Sequence, residues 1–318
     1  MENSVNVVIP TFNRESIIGD AIEAALAQDH EDLVVTVVDD GSSDQTTEAV
    51  AGYLPHPRFR YISLMHNVGT AQAKNVAIAL NDCRFITFHD SDDFPHSNKI
   101  STQVAVAANP DIEAHPILNW RLSGIEPGSR LDVDLVVSEH TLVRADGSRH
   151  HIRRALSLVD DVFPNLQMAA GVPGDWILIN CGLFRSSVFR KVGGFRNCIE
   201  EDREIRNRLI FDGGVLWLVP QILLTKYECE DSLTVQGETN YDSERRSRDR
   251  ASIWSDASAF RQGESIDPVV MDLSDVRFKY LSDDLGLSDV PMTPASRRNM
   301  QREIARVRTD SREFQCSA

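Results

Sequence analysis

The first third of the chain alternates short runs of β-branched and apolar residues with amphipathic stretches, and polar residues gather at each changeover. Val5 to Ile9 reads as a buried strand stopped by Pro10. A helix is expected from about Glu15 to Gln28, with Ile17, Ile18, Ala21, Ile22, Ala25 and Leu26 on one face and Asn13 as N-cap. Leu33 to Val38 predicts a second buried strand ending in Asp39-Asp40-Gly41-Ser42-Ser43-Asp44, where Ser43 or Asp44 caps the next helix. Phe59 to Ser63 predicts a third strand and Ala71 to Leu80 a helix opening just after Gly69. Arg84 to Phe88 predicts a fourth strand that runs directly into His89-Asp90-Ser91-Asp92-Asp93. Strands alternating with helices in this way make βαβ units around a parallel sheet, an α/β fold.

After about residue 110 the spacing loosens. Ile117 to Leu122 and Leu135 to Val143 read as strands, with a turn at Ala145-Asp146-Gly147-Ser148. Asn180 to Phe184 predicts a short strand, followed by a helix from Ser186 to Val192 closed by Gly193-Gly194. A helix from Glu201 to Phe211 and a strand from Val215 to Val219 come next. Beyond about residue 240 the chain is polar, with helices expected over Asp242 to Phe260 and Pro294 to Phe314. The arginines of that last stretch (Arg297, Arg298, Arg302, Arg306, Arg308, Arg312) read as a solvated face, with contact to anionic lipid or a partner as the alternative.

In open α/β sheets ligands bind at the carboxyl ends of the strands. The clusters Thr11-Phe12-Asn13, Asp39-Asp40-Gly41, Asn67-Val68-Gly69 and Asp90-Ser91-Asp92 would all line that edge.

Composition narrows the field. With 318 residues, 42% hydrophobic and 25% charged, the chain holds a sizeable core, one large domain with or without a small appendage. A net charge of -15 argues against a protein that tracks nucleic-acid phosphates. The same acidity suits a site that holds an anion through a divalent cation, and equally suits plain solubility. Cys83, Cys181, Cys198, Cys229 and Cys316 are scattered without a Cys-x-x-Cys pair, as expected for reduced thiols in a cytoplasmic protein. The polar start predicts no signal peptide, and no stretch reaches the roughly 18 apolar residues of a membrane span. Peripheral contact with the inner face of a membrane stays open.

Chemistry concentrates in Asp90-Ser91-Asp92 after a buried strand. Alternating carboxylates on extended backbone reach one hard cation from one side and leave its other positions to phosphate oxygens and water. The bland alternative is an Asp-rich loop that starts a helix. Asp39-Asp40 stands where a carboxylate accepts hydrogen bonds from a base or ribose. A dehydrogenase would need Gly-x-Gly-x-x-Gly after the first strand, where this chain has Pro10-Thr11-Phe12-Asn13. A response-regulator phosphoacceptor would need an isolated Asp and a later strand Lys, and neither is seen.

The ordered set Val8-Ile9-Pro10-Thr11-Phe12-Asn13-Arg14, Val37-Val38-Asp39-Asp40-Gly41-Ser42-Ser43-Asp44, Asn67-Val68-Gly69 with Ala73-Lys74-Asn75, and Phe88-His89-Asp90-Ser91-Asp92-Asp93 resembles glycosyltransferase family 2, inverting enzymes of GT-A fold. The resemblance continues through Gly193-Gly194-Phe195 and Glu201-Asp202 and covers about residues 4 to 235. It implies a Rossmann-like mixed sheet flanked by helices over residues 1–235. Within it, 1–110 would bind the nucleotide sugar and 111–235 the acceptor, before a mostly helical extension over 236–318. Pro10, Thr11 and Asn13 would then shape the nucleotide pocket, Asp40 would bind the base, typically uracil, and Lys74 would stand near the nucleotide and phosphates. Asp90 and Ser91 would meet the donor, Asp92 with Asp90 would hold manganese or magnesium, and Asp93 would cap a helix or support Asp92. Asp202 would be the general base that deprotonates the acceptor hydroxyl, with Glu201 as the fallback; alternatively the acidic trio Glu200-Glu201-Asp202 merely complements a helix N-terminus. Trp176 would stack on an acceptor sugar or fill the core.

The implied donor is a UDP-linked sugar, and the implied acceptor a hydroxyl of a saccharide, a lipid-linked saccharide or a small molecule. Many relatives carry a His before a Ser near the domain's end, but here the segment is Tyr227-Glu228-Cys229-Glu230-Asp231-Ser232, so the third metal ligand stays open. A sugar nucleotidyltransferase lacks its Gly-rich loop here, and an inactive nucleotide-sugar-binding relative would not need both Asp92 and Asp202.

Overall fold

The computed structural model describes residues 3–109, 111, 128–152, 182–228 and 243–316. The expected strand over 117–122 and Trp176 lie outside them. The first four strands form where the apolar runs predict: β1 (Val5–Thr11), β2 (Leu33–Asp39), β3 (Phe59–Leu64) and β4 (Phe85–Phe88). They lie parallel in the order β3-β2-β1-β4. Both faces are covered, so their residues are nearly all buried.

One face is covered by α1 (Ile18–Leu26), α2 (Thr46–Ala51) and α4 (Lys99–Ala107), through side chains such as Ile22, Val50 and Val104. The other carries α3 (Thr70–Ala79), α5 (Val188–Val192), α6 (Glu201–Phe211) and α8 (Pro294–Cys316). The result is a doubly wound α/β sheet with helices on both sides.

Beyond β4 the sheet becomes mixed. The path runs β4, β8 (Leu183–Arg185), β6 (Leu135–Val143), β9 (Leu216–Tyr227) and β5 (Asp93–Pro95), with β7 (Arg149–Ile152) paired to β6. The strand expected to end at Val219 runs on to Tyr227. Pro220 lacks a ladder N–H, so the register slips from Ser138↔Val219 to Glu139↔Ile222 before pairing resumes.

The carboxy-terminal residues join the same body. The strand β10 (Phe278–Leu281) pairs antiparallel with β3 and closes that edge, and Met271, Leu273, Phe278, Met300 and Ile304 share one core with α3. Before it, α7 (Glu244–Arg261) begins at Ser243, whose hydroxyl accepts from the Arg246 N–H. Several arginines expected to form a solvated face on α8 are spent internally. Arg306 donates to the Phe278 carbonyl at 2.6 Å, Arg308 to that of Leu285 at 2.6 Å, and Arg297 to that of Val290 at 3.0 Å. No helix among the described residues is long and apolar enough to cross a membrane.

Candidate active site

The chain turns from β1 to β2 on one side and returns to β4 on the other, so the crevice at their carboxyl ends is the switch point where ligands bind in such sheets. Four loops meet around this edge. The loop after β1 is laced to the loop after β2. Asn13 does not cap α1, whose N-cap is Ile17; instead it adopts a left-handed φ of 52°, tolerable for Asn, and its carboxamide accepts from the Ser43 N–H at 2.9 Å. The N–H groups of Asn13 and Arg14 in turn donate to Ser42 Oγ and Thr46 Oγ1, both at 2.9 Å. Pro10 lies within β1, paired with Val38. Next to it Thr11 is buried, and its hydroxyl has no hydrogen-bond partner.

The two aspartates after β2 divide their work. Asp39 accepts from the Tyr61 hydroxyl at 2.7 Å and from the Ser42 N–H at 2.8 Å. Asp40 accepts from the N–H groups of Val68 and Gly69 at 2.7 and 2.9 Å, fixing the loop that opens α3. Burial raises its pKa to about 6, with a smaller push from Asp39, although those two N–H bonds pull the other way. Gly41, at φ 75°, passes so close to the His66–Asn67 backbone that a Cβ would collide with it.

On α3, Lys74 is buried and its ammonium donates to Glu201 at 2.9 Å. Burial opposes its charge, but the fields of Glu201, Asp90 and Asp202 outweigh that and hold its pKa above the ordinary lysine value. Burial likewise raises the proton affinity of Glu201, against the pull of Lys74. Neighbouring Asn75 grips the Phe195 peptide, accepting from its N–H at 2.7 Å and donating to its carbonyl at 2.9 Å. Gly194 fits beneath because a Cβ there would strike Asn75 and Met271.

The acidic trio at the start of α6 is split three ways. Glu200 faces Arg250 at 2.6 Å, Arg203 at 3.0 Å and Arg246 at 3.5 Å. Glu201 takes Lys74, and Asp202 accepts the Arg203 N–H at 2.7 Å while staying partly open to solvent. A further pair, Arg208 and Glu204 at 2.6 Å, ties α6 to the Val192 and Gly194 carbonyls.

In the acidic run, Ser91 and Asp93 are buried, whereas Asp90 and Asp92 are partly exposed. Asp93 does not cap a helix: it opens β5, and its carboxylate receives the Lys226 ammonium at 3.3 Å. Burial and the charge of Asp90 raise the pKa of Asp92, while Lys226 and Arg14 oppose that shift. His89 is buried and neither ring nitrogen has a hydrogen-bond partner; burial and Lys99 hold its pKa well below the ordinary value, so it is neutral.

Two carboxylates in each other's field, Asp90 and Asp92, are the hard oxygen donors a manganese or magnesium ion takes together with phosphate oxygens and water. They fit as half a site. Among the described residues no group of three or more His, Cys, Asp or Glu could hold a metal by itself. Three participants escaped the sequence reading: Lys226, Arg14 facing Asp92, and the arginines around Glu200. The first sits beyond Pro220 in a strand whose interruption hides it, and two of the last, Arg246 and Arg250, come from a helix far along the chain.

Residues 6–116 match the family model for glycosyl transferase family 2. Over that stretch the chain is similar to glycosyltransferase family 2. Over 103 residues it is 35% identical to an uncharacterized glycosyltransferase of Rickettsia felis, covering 32% of this chain and 17% of that protein. It is 32% identical over 108 residues to an Escherichia coli enzyme, UDP-Glc:alpha-D-GlcNAc-diphosphoundecaprenol beta-1,3-glucosyltransferase WfgD, covering 34% of this chain and 42% of that one. The matched stretch is thus less than half the length of these relatives. The fold extends further than the sequence match. A structure of Staphylococcus aureus TarS 1-349 in complex with UDP-GlcNAc superposes with a TM-score of 0.58 at 16% identity, covering 83% of this chain and 68% of that one. The mannosyltransferase PcManGT from Pyrobaculum calidifontis, in complex with GDP-Man and Mn2+, gives 0.53 at 18% identity, covering 82% and 65%. The mixed sheet of this chain therefore has the GT-A fold.

Proposed function

We propose that the chain transfers a sugar from a nucleotide diphosphate sugar, UDP-linked, to an acceptor hydroxyl with inversion at the anomeric carbon. The observation that carries this is the position of Lys74. Its buried ammonium bonds Glu201 and lies in the fields of both Asp90 and Asp202, so donor-side and acceptor-side carboxylates surround one point. The complexes of TarS with UDP-GlcNAc and of PcManGT with GDP-Man and Mn2+ support a nucleotide-sugar donor.

In this reading Pro10, Thr11, Asn13 and Asp40 form the nucleotide pocket, and the unpartnered Thr11 hydroxyl offers a bond to the donor. Asp90, Ser91 and Asp92 face the diphosphate, and Asp90 with Asp92 would hold a divalent ion, which when bound neutralises the leaving group as a Lewis acid. Asp202 takes the proton from the acceptor hydroxyl as that oxygen attacks the anomeric carbon. With Glu201 committed to Lys74, Asp202 is the carboxylate left with a face open to solvent. The acceptor is a hydroxyl of a saccharide, a lipid-linked saccharide or a small molecule; the diphosphoundecaprenol in the name of WfgD favours the lipid-linked class.

A hydrolysis and binding screen across nucleotide sugars, with manganese or magnesium and with chelator, tests the reading. UDP-sugars should be cleaved in a metal-dependent way. Binding of no nucleotide sugar at all, or full activity in chelator and in Asp92→Ala, would sink it.

A further inference from the structure

Lys226 enters the acidic run from the facing strand. In the β5–β9 ladder Asp93 and Lys226 are direct partners, and the ammonium lies 3.3 Å from Asp93 and 3.8 Å from Asp90. The two contacts differ in kind. Asp93 has a side-chain exposure of 0%, so its pair is sealed, and breaking it would strand a buried charge. Asp90 has 38% exposure, its contact is long, and water competes for it. Lys226 itself is 27% exposed. A lysine ammonium is a compact point charge with three rotatable donors, able to exchange a carboxylate for a phosphate oxygen while keeping its other partner.

A dication held by Asp90 and Asp92 would sit within a few ångström of this charge. Repulsion between a doubly charged and a singly charged ion at such a distance, screened by water, costs on the order of tenfold in affinity. A diphosphate reverses the balance, because its oxygens attract both cations.

We propose that Lys226 is a resident cation of the acidic run: it holds Asp93 permanently, shares Asp90, and keeps a divalent ion weakly bound until a nucleoside diphosphate draws ion and ammonium together. The first half rests on the metal reading above, and the second on the donor reading as well. Lys226 thereby becomes a diphosphate-contacting residue and makes metal binding depend on the nucleotide.

The test is Mn2+ binding to the full chain, by calorimetry or by the free-ion electron paramagnetic resonance signal, first without nucleotide. Lys226→Met should bind Mn2+ about tenfold more tightly than wild type, and Lys226→Arg like wild type. Because Lys226→Met leaves Asp93 buried without its partner, the double variant Asp93→Asn/Lys226→Met, with a neutral strand pair, should show a gain in the same direction, smaller because the charge of Asp93 is lost as well. Equal or weaker Mn2+ affinity in both Met variants, or no Mn2+ binding in any variant, overturns the proposal. With UDP added, wild-type Mn2+ affinity should rise more than that of either Met variant; an equal rise overturns the coupling. Failure of UDP to bind wild type would instead overturn the donor reading and leave the nucleotide-free comparison standing.

Discussion

Lys74 on α3 and Glu201 at the start of α6 meet at 2.9 Å, with side-chain exposures of 4% and 14%. The pair joins α3, which follows the Asn67-Val68-Gly69 loop, to α6, which carries Glu201 and Asp202, and so couples the two helices across the crevice. Removing one partner of a buried pair leaves the other charge uncompensated, at a cost of about 3–5 kcal/mol. Lys74→Met and Glu201→Gln should each lower the melting temperature, and the double variant should recover part of the loss. A double-variant melt that simply sums the single losses would show that the two side chains do not couple.

Asp202→Asn should cut transfer by about two to four orders of magnitude, the usual contribution of a positioned general base, while UDP affinity measured by calorimetry stays within about twofold. Persistence of wild-type turnover would move the base to another group, Glu201 first.

Asp40 supplies a pH signature. Its carboxyl pKa is raised from 3.8 to about 6 by burial, so the folded protein binds that proton more tightly than the unfolded chain does. The sign follows from linkage: stability from this group is greatest below about pH 4 and is lost as pH rises through about 6. A carboxyl carbon resonance titrating near pH 6 should be present in the wild type and absent in Asp40→Asn. The thermal advantage of wild type over that variant should shrink between pH 4 and pH 7; an advantage that grows instead would contradict the shift.

Glu200 does not touch the predicted donor face, yet it anchors the first turn of α6 to Arg246 and Arg250 of α7. Glu200→Gln should therefore loosen the backbone that aims Asp202. The expected readout is a fall in kcat with donor KM nearly unchanged, and recovery in Glu200→Asp only in part. An unchanged kcat with a lowered melting temperature would reduce the cluster to a stabilising role.

The parallel half of the fold was legible because strands buried on both faces are continuous apolar runs, and α3 and α6 have clear glycine boundaries at Gly69 and Gly213. The strand-end clusters were legible for the same reason: topology places them at one edge. What escaped reading is non-local. Asp93 looks like a helix cap because Asp-rich loops usually are, and its strand partner Lys226 stands 133 residues away. Asn13 sits where an N-cap belongs, but its carboxamide is claimed by Ser43 across a gap of 30 residues. β10 is four residues long, with only its end residues Phe278 and Leu281 buried, too weak a pattern to announce a strand.

That short strand has a consequence for how the chain is made. The exposed side of β3 is covered by residues 278–281, and the Tyr61 N–H finds its acceptor in Ser282, 221 positions later. During synthesis the first four strands emerge early but keep a bare hydrogen-bonding edge until that late segment leaves the ribosome, a long-range closure that slows folding and invites edge-to-edge pairing in the interval. A fragment cut at the limit of the family match would carry this open edge permanently.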